Sequence, residues 1–271
     1  DPLWSRGLGD VYKRQVMIDI HNHILINVDD GPKSREEMLN LLKQAKSEGV
    51  TEIIATPHHL SSAYDNDKQQ VLSKVEELLS MNEVQEIGIK MYPGQEIRIT
   101  DQILPGLEDG SILSLNNSKY LLIELPSGGV PHYTERLFYE LLSKGYVPII
   151  AHPERNKGIS QDLDKLYQLV KAGALSQLTT SSLLGENGKK IQKLSIQMLE
   201  NNLTHFIASD AHHSEIRPFK MNSLFKDKKL NKFEKDLESF LKNAESVVNN
   251  TDIAKKQPTQ NYKNKKFFGL F

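Results

Sequence analysis

From Val16 onward, short apolar runs alternate along the chain with longer stretches in which apolar positions recur every three or four residues. The run "VMIDIH" reads as a buried strand, with Val16 extending its start. In "SREEMLNLLKQAKSEG", Met38, Leu41, Leu42 and Ala45 fall at i, i+3, i+4 and i+7, the spacing of one helical face. Ser34 and Glu37 form the two halves of a capping box at its start, and Gly49 marks its end. "TEIIATPHH" is the second strand, a helix is expected over 65–81, and "GIKMYPGQEI" is the third strand. "YLLIEL" precedes a helix over 132–144, "VPIIAHPE" one over 161–171, and "LSQLTT" one over 189–201. "HFIASDAHH" is the seventh strand, and a last helix over 231–248 places Phe233, Leu237, Phe240 and Leu241 on one face. Strict alternation of apolar strands with helices predicts an α/β fold: a parallel sheet covered by helices, either open or closed as a barrel.

The ends of the chain break this pattern. The opening "DPLWSRGLGDVYKRQV" lacks a continuous apolar core and is not a secretory signal; residues 1–16 read as an unrelated leader before Met17. Residues 17–249 form a single domain, and 250–271 are a polar, basic tail expected to be flexible, ending in "FFGLF". The lysines beside Phe267, Phe268, Leu270 and Phe271 raise contact with an anionic membrane or a partner groove as an expectation. A net charge of −1 supplies no global field for nucleic acid. The absence of cysteine excludes a thiolate nucleophile and any disulfide or iron–sulfur cluster, and fits a cytoplasmic setting. Any metal must be held by His, Asp and Glu.

Those residue types fall at one place in the pattern. His21 and His23 end the first strand, His58 and His59 the second, Glu96 the third, Glu124 the fourth, His152 the fifth, and Asp210, His212 and His213 the seventh. In a parallel α/β fold, C-terminal strand ends open on the same side, where sites are built. Residues i and i+2 of a strand point the same way, about 7 Å apart, so "HNH" and "DAH" each aim two ligands together. A lone His-x-His is ordinarily just a polar strand end; it is the joint pattern that points to a metal centre. Imidazole with carboxylate suits manganese, iron or zinc better than magnesium.

In order, "DIHNHIL", "DDGP", "TPHH", "GQEI", "IEL", "AHPER" and "SDAHH" resemble the polymerase-and-histidinol-phosphatase (PHP) superfamily. Within it they are similar to the manganese-dependent protein-tyrosine phosphatases of capsule and exopolysaccharide loci, the CpsB/CapC type. The resemblance implies a distorted barrel of seven βα units with three divalent ions at its mouth. It places His21, His23, Glu96 and Asp210 on the first metal; Glu96, Glu124 and His152 on the second; and Asp30, His58 and His212 on the third. Asp29 reads as a turn residue, with His59 and His213 as outer donors.

The resemblance further implies that Arg155 and Arg217 grip the substrate phosphate, a task suited to the planar guanidinium. Arg98 either meets substrate or pairs with an acid. The glycines of "LLGENGKK" make a turn into a helix, with Lys189 or Lys190 as a further phosphate contact. The implied reaction is metal-assisted hydrolysis of phosphotyrosine, with His58 or His212 as the proton donor if one is used. The implied substrate is the tail of a tyrosine autokinase at the inner membrane face. A histidinol-phosphatase-like metabolite enzyme on the same site is the alternative. A nuclease and a non-catalytic phosphopeptide binder fit less well.

Overall fold

A computed structural model describes residues 16–266. Most of the expected leader and the Phe267–Phe271 end lie outside the described residues. The first strand, β1, spans Ile18–Asn22, so Val16 does not extend it. It is followed by α1 (Arg35–Ser47), whose Met38, Leu41, Leu42 and Ala45 are fully buried, as the periodicity predicts. Ser34 caps it by accepting from the Glu37 N–H at 3.2 Å. The reciprocal half of the box differs: the Glu37 carboxylate accepts from the Lys33 N–H at 2.7 Å, one residue earlier than expected.

The second and third expected strands each break in two. "TEIIATPHH" gives β2 (Glu52–Ala55) and β3 (His58–His59), separated at Pro57, which has no N–H for a ladder. The helix α2 (Lys68–Leu79) then starts at a capping box, with Asp67 accepting from the Gln70 N–H and Gln70 returning the bond. A further short helix, α3 (Asn82–Ile87), precedes β4 (Lys90–Pro93) and β5 (Glu96–Arg98), the two halves of "GIKMYPGQEI". They part at Gly94, where a Cβ would lie 2.8 Å from Ile54 and 2.9 Å from Leu115. Then come α4 (Ile103–Asp109), β6 (Tyr120–Glu124), α5 (Thr134–Ser143), β7 (Val147–Ala151), α6 (Lys157–Gln161) and α7 (Asp164–Lys171). The chain continues through β8 (Leu175–Thr179), α8 (Thr180–Leu184), α9 (Lys189–Glu200), β9 (Phe206–Ala208) and α10 (Glu234–Val248). With Pro105 and Gly106 inside it, α4 carries no helical signature in its sequence.

The strands form two sheets instead of the single sheet expected: β1-β2-β4, and β3-β5-β6-β7-β8-β9. Every ladder between them is parallel. The first halves of the broken strands join β1 in one sheet, β2 pairing with β1 and β4 with β2, and the second halves pair toward β6. At the other flank, the segment after β9 meets β1, with the Asp210 N–H donating to the His21 carbonyl and the His23 N–H to the Ala211 carbonyl, both at 2.8 Å. The broken strands and this junction bring residues from both sheets to one place. No helix among the described residues is long and apolar enough to cross a membrane.

Expected to be flexible, the tail instead runs over the domain as far as it is described. Asn243 pairs both ways with Ala254, the Thr259 N–H donates to the Asn201 carbonyl, and Tyr262 donates to Asp164 at 2.5 Å. Near it His205 is buried, and its Nδ1 accepts from the Ser176 N–H at 3.2 Å. Burial, helped by Lys255, lowers its pKa to about 4.

Against the ordinary His value of about 6.5, the unfolded chain takes up this proton first as pH falls, so stability present above pH 6.5 is lost down to about pH 4. The shift corresponds to about 3 kcal/mol. His205→Asn keeps an acceptor without the titration. Urea unfolding from pH 7 to 4 is expected to show the wild type losing about that much relative to the variant; parallel curves would refute the assignment.

Candidate metal centre

Two residues apart at the end of β1, His21 and His23 present their Nε2 atoms 3.4 Å from each other. Each imidazole is held from behind. The His21 Nδ1 lies 2.9 Å from the Gln177 side-chain oxygen on β8, while the Gln177 amide nitrogen donates to the Leu178 carbonyl. The His23 Nδ1 lies 2.6 Å from Asp29 Oδ2. Both contacts place the ring proton on Nδ1 and the lone pair on Nε2, facing inward.

Asp29 is therefore more than the turn residue expected. One of its oxygens accepts from the Gly31 N–H at 2.9 Å, and the other holds His23 and accepts from the His58 N–H at 3.2 Å. Asp29 and Gln177 are the positioning residues that sequence reasoning missed. Two adjacent acids in "DDGP" are the available signal for the first. The second has no local signal, because its strand, "LSQLT", also carries Ser176 and Thr179. Asp29→Asn is expected to weaken divalent-cation affinity 10- to 100-fold, read by calorimetric titration. Unchanged affinity would show that His23 is oriented without it.

Glu96, at the start of β5, is the hub. Its Oε2 lies 3.3 Å from the Nε2 atoms of both His21 and His23 and 3.0 Å from His58 Nδ1, and its Oε1 lies 2.8 Å from His152 Nε2. Burial pushes its pKa up, but the His21 and His58 charges outweigh burial and hold it well below the carboxylate range. Asp210 Oδ1 stands 3.4 Å from the Nε2 atoms of His21 and His23. Asp30 Oδ1 lies 3.4 Å from His58 Nε2 and 3.2 Å from His212 Nε2. Glu124 Oε2 lies 4.0 Å from His58 Nδ1. Two ligand-bearing positions, His152 (φ 32°) and Asp210 (φ 53°), adopt left-handed backbone that non-glycine residues rarely take, and strain of this kind gathers at functional sites.

All nine sequence-expected ligands therefore come together. Sets of potential ligand atoms within reach of one ion are His21, His23 and Glu96; His58, Glu96 and Glu124; and His23, Asp30, His58 and His212. His152 joins the cluster through Glu96, and His58 stands within reach of both Glu96 and Asp30. Buried atoms without a hydrogen-bond partner include Asp30 Oδ1, His58 Nδ1, Glu96 Oε2, Glu124 Oε2 and His212 Nε2. Unpaired buried polar atoms are costly. Their convergence in one imidazole and carboxylate cluster fits divalent cations.

The outer residues also separate. Arg155 donates to Asp210 Oδ2 at 2.5 Å, and Arg217 donates to the same oxygen at 2.6 Å. Both line a cavity of about 270 Å³ with Asp30, Glu96, Glu124 and His152. Arg98 pairs with Glu124 at 2.8 Å, the acid-pairing outcome. His59 faces the opposite way from His58, toward Asp65 at 3.0 Å. His213 pairs through its backbone with Arg217, and its ring stacks beside His212 at 6.5 Å. Lys189 and Lys190 are exposed and do not line the cavity.

Residues 17–249 match the family described as capsular polysaccharide synthesis, CpsB/CapC. CapC of Staphylococcus aureus is 57% identical over 254 residues, which cover 94% of this chain and all of that one. The tyrosine-protein phosphatase YwqE of Bacillus subtilis is 42% identical, with 94% and 100% covered. Among solved structures, one from the metal-dependent tyrosine phosphatases YwqE of Bacillus subtilis and CpsB of Streptococcus pneumoniae matches with a TM-score of 0.85 at 40% identity, covering 90% of this chain and 98% of that one. With that family pattern spanning nearly the whole described domain, the chain belongs to the CpsB/CapC family.

Proposed function

We propose that this protein is a metal-dependent protein-tyrosine phosphatase acting on a tyrosine autokinase tail at the inner membrane face, in control of capsule or exopolysaccharide assembly. The observation that carries the reading is the convergence of nine imidazoles and carboxylates beside two arginines, in a chain similar along its length to named tyrosine phosphatases. The proposed cofactor is manganese, three ions, with iron and zinc also suited to the donor set. The proposed architecture is the distorted barrel of seven βα units, its mouth lying where the two sheets meet.

In this reading His21, His23, Glu96 and Asp210 hold one ion, Glu124 and His152 join Glu96 on a second, and Asp30, His58 and His212 hold a third. Bound divalent cations supply water of lowered pKa and neutralise charge on the phosphoryl oxygens. The chain's own part is positioning. Arg155 stays charged, its pKa raised because Asp210 and Glu154 outweigh burial, and Thr179 and Ser181 orient it. Asp210 keeps Arg155 and Arg217 side by side, leaving their other N–H groups for the phosphoryl oxygens.

Burial, with the charge of His23, lowers the pKa of His212 to about 4, which favours it as a neutral ligand over a proton donor at pH 7. Burial is outweighed at His58, whose pKa rises to about 10 beside Glu96 and Asp30, so His58 would have to give up its proton to serve as a ligand. Phenolate, with a pKa near 10, leaves with little acid help.

Protein stripped with chelator and reloaded with manganese is expected to release phosphate from a phosphotyrosine peptide, with negligible release before reloading. Preference for histidinol phosphate over the peptide would decide for the metabolite enzyme. Failure on both would overturn the reading.

A further inference from the structure

Beyond the Arg155–Arg217 pair, a second groove of about 450 Å³ adjoins the metal cavity and shares Arg155, Asp210 and Arg217 with it. Its other lining includes Ile191, Ile216 and Pro218, with Ser181 and Asn187 as polar members. Ile216 is 81% exposed, directly before the arginine that faces the cavity. A phosphoryl group held by the two arginines leaves the rest of its substrate to exit past them, and this groove is continuous with that exit.

Cations gather at the helix start beside the groove. Lys189 and Lys190 lie between Asn187 and Ile191, both groove residues, and Lys193 follows one turn later. All three are exposed. They occupy the first turns of α9, which has no acid in its first turn. Cations there oppose the helix dipole, a local cost that helix stability does not explain. Acids lining the groove are already committed: Asp210 to the two arginines, and Glu186 to Lys220. Glu215, beside Ile216, is exposed and, like the three lysines, lies outside the groove lining, so cations outnumber acids around it three to one.

We propose that this groove is the subsite for the peptide flanking the phosphotyrosine, and that it selects an acidic flank. The backbone of the flank lies over Ile216 and Pro218, and its carboxylates face Lys189 and Lys190. This deepens the phosphatase reading and rests on it. The partner it implies is a phosphotyrosine segment with aspartate or glutamate within a few residues on one side.

The test compares manganese-loaded wild type with the Lys189→Glu/Lys190→Glu double variant. Phosphotyrosine peptides carrying acidic, neutral or basic flanks on either side are assayed with phenyl phosphate, which has no flank. The wild type is expected to prefer one acidic flank by about tenfold in kcat/KM, mainly through KM, with the preference shrinking in 0.5 M salt. The double variant is expected to lose that preference while hydrolysing phenyl phosphate at the wild-type rate. Anisotropy of a labelled, non-hydrolysable phosphonate peptide should show the same loss in affinity, as should Ile216→Ser to a smaller extent.

Equal kcat/KM across flanks, or a preference untouched by the double variant, would overturn the subsite while leaving the phosphatase in place. Failure of the wild type on phenyl phosphate and on every peptide would bring down both.

Discussion

Glu96→Gln is expected to cut phosphotyrosine-peptide turnover by about a thousandfold or more without unfolding the domain. Glu96 touches four imidazoles, those of His21, His23, His58 and His152, and it belongs to two of the three sets of potential ligand atoms. The amide keeps the shape of the side chain at a fully buried position, so packing is preserved. What it removes is the negative charge at the centre of the cluster, which a shared ligand needs in order to hold two cations close together. Metal content measured by elemental analysis should fall together with turnover, and far-UV circular dichroism should remain that of the wild type. Near-normal turnover in this variant would mean that the chemistry does not pass through the cluster.

Gly31→Ala should be the most damaging small substitution for stability. A Cβ at Gly31 would stand 2.2 Å from the His23 carbonyl oxygen and 3.1 Å from Asp29 Oδ1. The nearer atom is backbone just beyond β1, locked by the His23 N–H bond to Ala211, so it cannot swing aside. Overpacking of this kind costs about 3 kcal/mol or more. Any relief moves His23 and Asp29 together, so cation binding should collapse as well. Gly128 is a matched control, because nothing lies within 4 Å of a Cβ there. Urea unfolding should separate the two variants by about that amount. Equal midpoints would show that the loop of "DDGP" yields freely.

Much of the fold was legible because local periodicity reports burial one segment at a time. Met38, Leu41, Leu42 and Ala45 are buried where their spacing put them, and the glycines of "LLGENGKK" do turn into a helix, Gly185 and Gly188 both having positive φ. The site was legible for a similar reason. Strand ends can be read from sequence, and His21 and His23 at i and i+2 share a side by the pleat alone. Where the reading failed, the deciding partner was distant. Gln177 holds His21 across 156 residues, and nothing local distinguishes that glutamine from a solvated one. The tail was too polar to predict a docked segment, yet Asn201, Asn243 and Asp164 supply its hydrogen bonds.

By itself, then, the sequence determined the order of parallel strands and helices, the donor types available to a metal, and their gathering at strand ends, since each follows from composition and short-range geometry. Only the tertiary structure decided that the second and third strands divide between two sheets, that Glu96 meets four imidazoles, and that Asp29 orients His23. Those outcomes depend on pairings between segments far apart in the chain, where steric fit and the pairing of buried charge choose among arrangements that are locally equivalent.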